Sequence, residues 1–392
     1  MKATETQPSF LGRISIRRNQ VMSMEGNHEQ ELQDLDLFQK HVSDRFAALL
    51  SSPEDLPHEP LLSISWLRKL MDVFLCCEAE FKAVLITGRD PTQISKPPLD
   101  RLIPEFLERA VKVLDICNAV SSGVDSVRQC QKFAEIAVSA LETKPMGDGQ
   151  VKRARKALTS LLSAITSDDR DNNHFKSTER AWSFGRRVNQ GGFRKDKPAG
   201  SFRSLSMVVA KNWSAAKQIQ SMFSNLVAPR GAESTGLASP VYVMSVVMVF
   251  VMWALVAAIP CQERSGLSTH FQIPRQLTWA QSMIGLLEKI GEEWKKKEKK
   301  GSAGLLEEVQ RMEKLGQSLI EFADGFHFPG EAEKLEDAAT QVAELADICM
   351  RMEEGLVPLQ QQIREVFHRV VRSRREVVEL LENAGAVSQP ME

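Results

Sequence analysis

The chain is poor in the residues from which strands and catalytic centres are built. Tyrosine occurs once in 392 residues, and alternating β-branched patterns are nearly absent outside a single run. A sheet-built fold is excluded. No phosphate loop of the GxxxxGK[ST] or GxGxxG type occurs, and Gly147-Asp148-Gly149 reads as a turn between helices. The histidines (His28, His41, His58, His174, His270, His327, His368) never fall at metal-ligand spacing, and there is no HExxH, CxxC or GxSxG. Metal, redox and covalent catalysis therefore have no motif to rest on. The expectation is a protein that is not an enzyme and takes no cofactor, metal or small-molecule substrate.

An excess of charge of one sign is also missing. Lys+Arg number 50 against Asp+Glu 51, so no global field draws the chain to nucleic acid or to an anionic surface. Any electrostatic role must be local. The six cysteines (Cys76, Cys77, Cys117, Cys130, Cys261, Cys349) are scattered and form no secreted-type framework, which reads as reduced thiols of a cytosolic protein. The opening stretch has no apolar core for a signal peptide and no glycine at position 2 for myristoylation, so entry by a cleaved signal is not expected.

One long hydrophobic run is present, and it decides the class of protein. From Val241 to Ile259 (VYVMSVVMVFVMWALVAAI) Ser245 is the only clearly polar side chain. As a helix the run would be about 28 Å long, close to the thickness of a bilayer's hydrocarbon core. A helix apolar on every face belongs in a membrane or at the centre of a bundle, because a surface helix needs one polar side. Its valines with Phe250, Leu255 and Ile259 favour insertion by about 3 kcal/mol. Tyr242 stands where an interfacial aromatic belongs, whereas Trp253 lies inside the run. Val241, Phe250, Trp253 and Ile259 mark the candidate membrane segment. The expected location is a membrane, as a single-pass or cytosolic-face protein, with the cytoplasm as the alternative. Arg230, Arg264 and Arg275 are too few to choose an orientation. Cys261, just past the run, is a candidate for palmitoylation.

Elsewhere apolar residues recur at three and four, so the fold class is all-α: helical bundle halves flanking a basic linker and one long all-apolar helix. After a tail at 1–26, an N-terminal bundle is expected over 27–166. Its first stripe is Leu32, Leu35, Phe38, Val42, Phe46 and Leu49. The second is Leu67, Leu70, Phe74, Phe81 and Val84, stopping at Gly88. A long helix starts at Pro104 and reaches Leu141, with Ser121 to Gly123 as its candidate break, and another spans Val151 to Ile165.

A flexible linker at 167–203 is basic, and Arg186, Arg187, Arg194, Lys195 and Lys197 could meet anionic lipid. Ser204 and Ser206 follow it, where phosphorylation would lower the local charge. Trp182, Phe184, Phe193 and Phe202 are interleaved with these arginines, but no RNA-binding module surrounds them, so nucleic acid is not expected. A helix and loop occupy 204–239, with helix from Ser204 to Leu226, and the apolar helix fills 240–260. A C-terminal helical region runs over 261–385, with helix resuming near Pro274, before a tail at 386–392.

That last region holds the cleanest pattern. Alternate steps of three and four from Leu335 give Ala338, Val342, Leu345, Cys349, Met352, Leu356, Leu359, Ile363, Val366, Val370, Ser373, Val377 and Leu380, and only Ser373 fails. This is the seam of a coiled coil or of left-handed bundle packing, with Pro358 expected to kink or interrupt it.

Whole stretches then identify a resemblance. SFLGRISIRRNQV at Ser9 to Val21, HEQELQDLDLFQKHV at His28 to Val42 and WLRKLMDVFLCCEAEFKAVL at Trp66 to Leu85 are similar to the ROH and BYPASS-like family of plants. So are ISKPPLDRLIPE at Ile94 to Glu105, TERAWSFGRR at Thr178 to Arg187 and ASPVYVMSVVMVFVMWALVAAIPCQ at Ala238 to Gln262. The ROH branch is the closer. The resemblance implies a non-enzymatic helical adaptor in plant exocytosis and polarized secretion, with an exocyst subunit as partner and one membrane segment. The BYPASS branch implies instead a soluble regulator of development that limits a root-derived mobile signal.

Overall fold

The computed structural model describes residues 24–51, 59–86, 94, 96–144, 146–166, 213–224, 226–231, 236–261, 267, 273–298, 304–327 and 332–387. Among these the architecture is all-helical. The helices are α1 (Met24–Leu50), α2 (Ile64–Ile86), α3 (Leu99–Leu141), α4 (Asp148–Thr166) and α5 (Ala215–Ser224). They continue with α6 (Ala238–Ala258), a 3₁₀ turn (Thr278–Ala280), α7 (Gln281–Glu298), α8 (Glu307–Asp324) and α9 (Ala332–Val387).

Each helix follows the apolar stripe that its sequence carries. On α1 the residues Leu35, Phe38, Val42 and Phe46 are all buried, and on α2 Leu67, Leu70 and Phe74 are wholly enclosed. The two helices meet through Phe38 and Phe81, whose ring centres are 6.4 Å apart, and through a carboxylate held from both sides. Arg45 Nη1 and Nη2 donate to Glu80 at 3.1 and 2.5 Å, and His41 Nδ1 lies 3.2 Å from the same carboxylate. Glu80 is thereby buried with its charge matched.

Four expectations about helix ends and breaks meet the structure here. The long third helix begins at Leu99, not at Pro104, and Pro104 lies inside it. It also passes unbroken through Ser121, Ser122 and Gly123, and at Gly123 another segment crosses closely. Gly123 faces the backbone of Pro260 and the side chain of Ile259, which lies 2.7 Å from where a Cβ would stand. Likewise the helical run of α9 continues through Pro358, so of the expected kink or interruption the interruption does not occur. Helix from Ser204 is confined, within the described residues, to Ala215–Ser224, and Leu226 lies past its end. Gly88 and residues 167–212 lie outside the described residues.

α9 lies against both α2 and α3, α4 packs between α3 and α8, and α1 is covered by α7. Helices from before and after residues 167–212 thus share one hydrophobic core. That core is built around α6.

Candidate functional site: the enclosed apolar helix

The apolar run forms a helix of 21 residues, long and apolar enough to cross a membrane, and its whole apolar window is buried inside the fold. Five helices do the enclosing: α1, α2, α3, α5 and α7 all pack on α6. Val241 and Ile259 are each 1% exposed, and Phe250 and Trp253 are fully buried. Phe46 of α1 meets Phe250 edge-on at 5.5 Å, Phe250 lies 6.2 Å from Trp253, and Tyr242 meets Trp279 edge-on at 6.4 Å. Aromatic contacts of this kind fix the helix by shape, where lipid would meet it without specificity.

Both ends of α6 are tied to polar groups of the protein. Near its start, Gln39 Nε2 of α1 donates to Ser239 Oγ at 2.8 Å. At its far end the last carbonyls of a helix lack intrahelical donors. Here Leu305 N–H donates to Ala257 O and Leu306 N–H to Ala258 O, each at 3.0 Å. The same strand of chain then turns to the start of α2. Glu307 N–H donates to Leu62 O at 3.3 Å, and the Glu308 carboxylate accepts from Ile64 N–H at 3.0 and 3.3 Å. Residues 305–308 therefore close two helix termini at once. Burial pushes the Glu308 carboxyl up to about 7, against the opposing pull of the Ile64 N–H.

The C-terminal seam is used inside the molecule. From Ala338 to Val370 every seam position is buried, with Leu345, Met352, Leu359 and Val366 at zero exposure. Gly355 lets α9 approach the start of α2, where the Ile64 side chain lies 2.6 Å from a would-be Cβ. Ser373, the position that fails the pattern, donates to Glu78 Oε1. Glu78 is 6% exposed, and burial raises its carboxyl above the ordinary range while Ser373, Arg369 and Lys82 pull it down.

The thiols show how little nucleophilic chemistry this core offers. Burial pushes Cys77, Cys117 and Cys349 up to about 12 and Cys130 up to about 11. Cys76 is exposed, and Cys261, the candidate acylation site, is 8% exposed beside the end of α6. Arg186, Arg187, Arg194, Lys195, Lys197, Ser204 and Ser206 lie outside the described residues. Among the described residues no group of three or more His, Cys, Asp or Glu side chains could hold a metal ion.

Sequence pattern did not single out Glu308, Gly123 or Gly355. Each acts through a segment far away in the chain, and one sequence records no such pairing. The only local signal was Gly304, which has φ +123° and precedes the Leu305-Leu306 pair.

A family model described as Protein ROH1-like matches residues 1–381. The chain is 59% identical to Protein ROH1A of Arabidopsis thaliana, covering 99% of both chains. It is 42% identical to Protein ROH1D of the same plant, covering 96% of this chain and 97% of that one. No solved structure matches.

Proposed function

The chain belongs to the ROH1-like family, and on that premise we propose that it is a non-enzymatic helical adaptor of plant exocytosis that binds an exocyst subunit through its outer helical surfaces. The observation that carries this reading is the enclosure of α6 by helices from both parts of the chain. An apolar helix so covered welds the molecule into one body, and what such a body presents to partners is its outer faces. Association with membrane lipid would then be peripheral, on the cytosolic face, through the basic residues 186–197 rather than through α6. The exocyst rests on the resemblance seen in the sequence, and helix-on-helix docking is the physical form it would take.

A single-pass protein is the second reading, favoured by the length and composition of α6. Microsomes extracted with alkaline carbonate and then detergent, with protease protection of tags at both ends, separate the two. Release by carbonate with both tags digested supports the adaptor with an internal apolar core. Retention until detergent with one tag protected replaces it by a membrane span. Mixing the purified chain with each purified exocyst subunit tests the partner, and absence of binding to all of them leaves the developmental regulator of the BYPASS type.

A further inference from the structure

The long helix α9 carries a second row of heptad residues on the side opposite its buried seam. Ala343, Met350, Val357, Arg364, Val371 and Val378 recur every seven residues, with Asp347, Glu354, Gln361, His368 and Arg375 between them. The two sets alternate by four and three, the spacing of the inner seam. Met350 is 56%, Val357 49% and Val371 43% exposed. Six large hydrophobics are exposed among the described residues, so half of them lie on this one row. Scattered surface hydrophobics need no explanation, but a line of them at helical spacing does.

The charges along this face are sorted by position. Its N-terminal half is acidic, with Asp347 and Glu354 exposed, while Glu353 beside them turns to α3 and accepts from Gln131 Nε2 at 2.8 Å. Its C-terminal half is basic, with Arg364, His368, Arg372 and Arg375 exposed. Of the acidic residues in the basic half, Glu365 is held by Arg369 and Glu379 by Arg375, each at 2.8 Å; Glu376 pairs with Lys82 of α2, and Glu382 is exposed near the end of the row. Asp347 pairs with Arg351 at 3.1 Å, again on the open surface where such pairs exchange readily.

We propose that this face is a docking surface for a second copy of the same chain, lying antiparallel along α9 about a two-fold axis near Gln361. Reversal of direction is what the charges require. It sets Asp347 and Glu354 of one copy against the Arg364 to Arg375 stretch of the other, twice over, whereas parallel pairing would set like against like. The apolar row supplies the dry line between the charges. Few of its residues are large and the charged rim is open to solvent, so the dimer is reversible and weakens as salt rises.

Sedimentation of the full chain over a concentration series, at low and at raised salt, reads this directly. The expected result is a monomer–dimer equilibrium whose dimer fraction falls with salt. Two charge-reversed variants make the test specific: Arg364→Glu with Arg375→Glu, and Asp347→Arg with Glu354→Arg. All four positions are exposed, so circular dichroism should stay that of the parent. Each variant alone should dimerise about tenfold or more weakly, while an equimolar mixture should regain the dimer, since each reversed position then faces a residue of opposite sign in the other variant. A parent chain that is monomeric throughout would overturn the proposal and leave the row to another helix. So would a dimer that both variants keep, or a mixture that fails to restore it.

Discussion

Ser373 Oγ of α9 donates a hydrogen bond to Glu78 Oε1 of α2, at the one seam position where the heptad pattern calls for an apolar residue. Glu78 is 6% exposed, and Arg369 approaches it only at 3.8 Å from a side chain that is 37% exposed. Pattern alone would rate Ser373→Val an improvement. The structure predicts the reverse: a loss of about 1–2 kcal/mol at neutral pH, because a buried carboxylate would lose its closest donor. Urea unfolding of Ser373→Val checks this, and the double variant with Glu78→Gln should recover part of the loss.

Glu308→Gln should change how stability depends on pH. The folded-state value of Glu308 is raised to about 7, so the folded chain keeps a proton that the unfolded chain has already released. Stability from this group is therefore complete below the ordinary carboxylate range, falls as pH rises from there to about 7, and is level above it. Glutamine still accepts from Ile64 N–H without that loss. The variant should gain on the parent by about 3 kcal/mol between pH 4 and pH 8, measured as the difference between two unfolding curves at each pH. Parallel curves would show that Glu308 is ionised without penalty.

Gly123→Ala and Gly355→Ala should both destabilise, by about 1–3 kcal/mol each, although alanine is the better helix former. At Gly123 the added methyl meets the backbone carbonyl of Pro260, which cannot swing aside. At Gly355 it meets the Cγ2 of Ile64 at 2.6 Å. The combination Gly355→Ala with Ile64→Val should be milder than Gly355→Ala alone, a result that thermal unfolding can read.

Phe250→Arg should abolish folding, since Phe250 has no exposed surface and its site offers an arginine no partner. Phe250→Leu should cost no more than about 2 kcal/mol, because the volume change is small. Circular dichroism of the soluble fraction separates the two. A folded, membrane-retained Phe250→Arg protein would contradict an α6 held in a protein core.

Native thiol titration should label Cys76 fast and the other described cysteines slowly. Cys77, Cys117 and Cys349 combine burial with thiols pushed up to about 12. All six should react once the chain is unfolded. Fast labelling of Cys261 in the native protein would show that position to be accessible to acylation.

Helix existence was legible because a buried helix face must repeat every three or four residues, and α1, α2, α4 and α9 keep that rule. The boundaries were less legible. Ser121 to Gly123 look like a break when only local propensity is weighed, yet they are continuous helix, with Gly123 leaving the room in which Ile259 and Pro260 cross. The candidate site divides in the same way. Its apolar run could be read from composition, whereas the 305–308 strap that closes it has no local signature.

By itself, then, the sequence determined that this protein is helical, that one helix must be hidden on every side, and that the last helix carries a heptad seam. Periodicity and hydrophobicity are properties of single segments, so one chain suffices to read them. What hides α6 was left open between lipid and protein, since an all-apolar surface suits both. Only the tertiary structure supplied the partners: five helices around α6, the Leu305 and Leu306 amides on its last carbonyls, and Glu78 waiting opposite Ser373. Such contacts join residues from tens to hundreds of positions apart, and their energies depend on distances that only the folded chain defines.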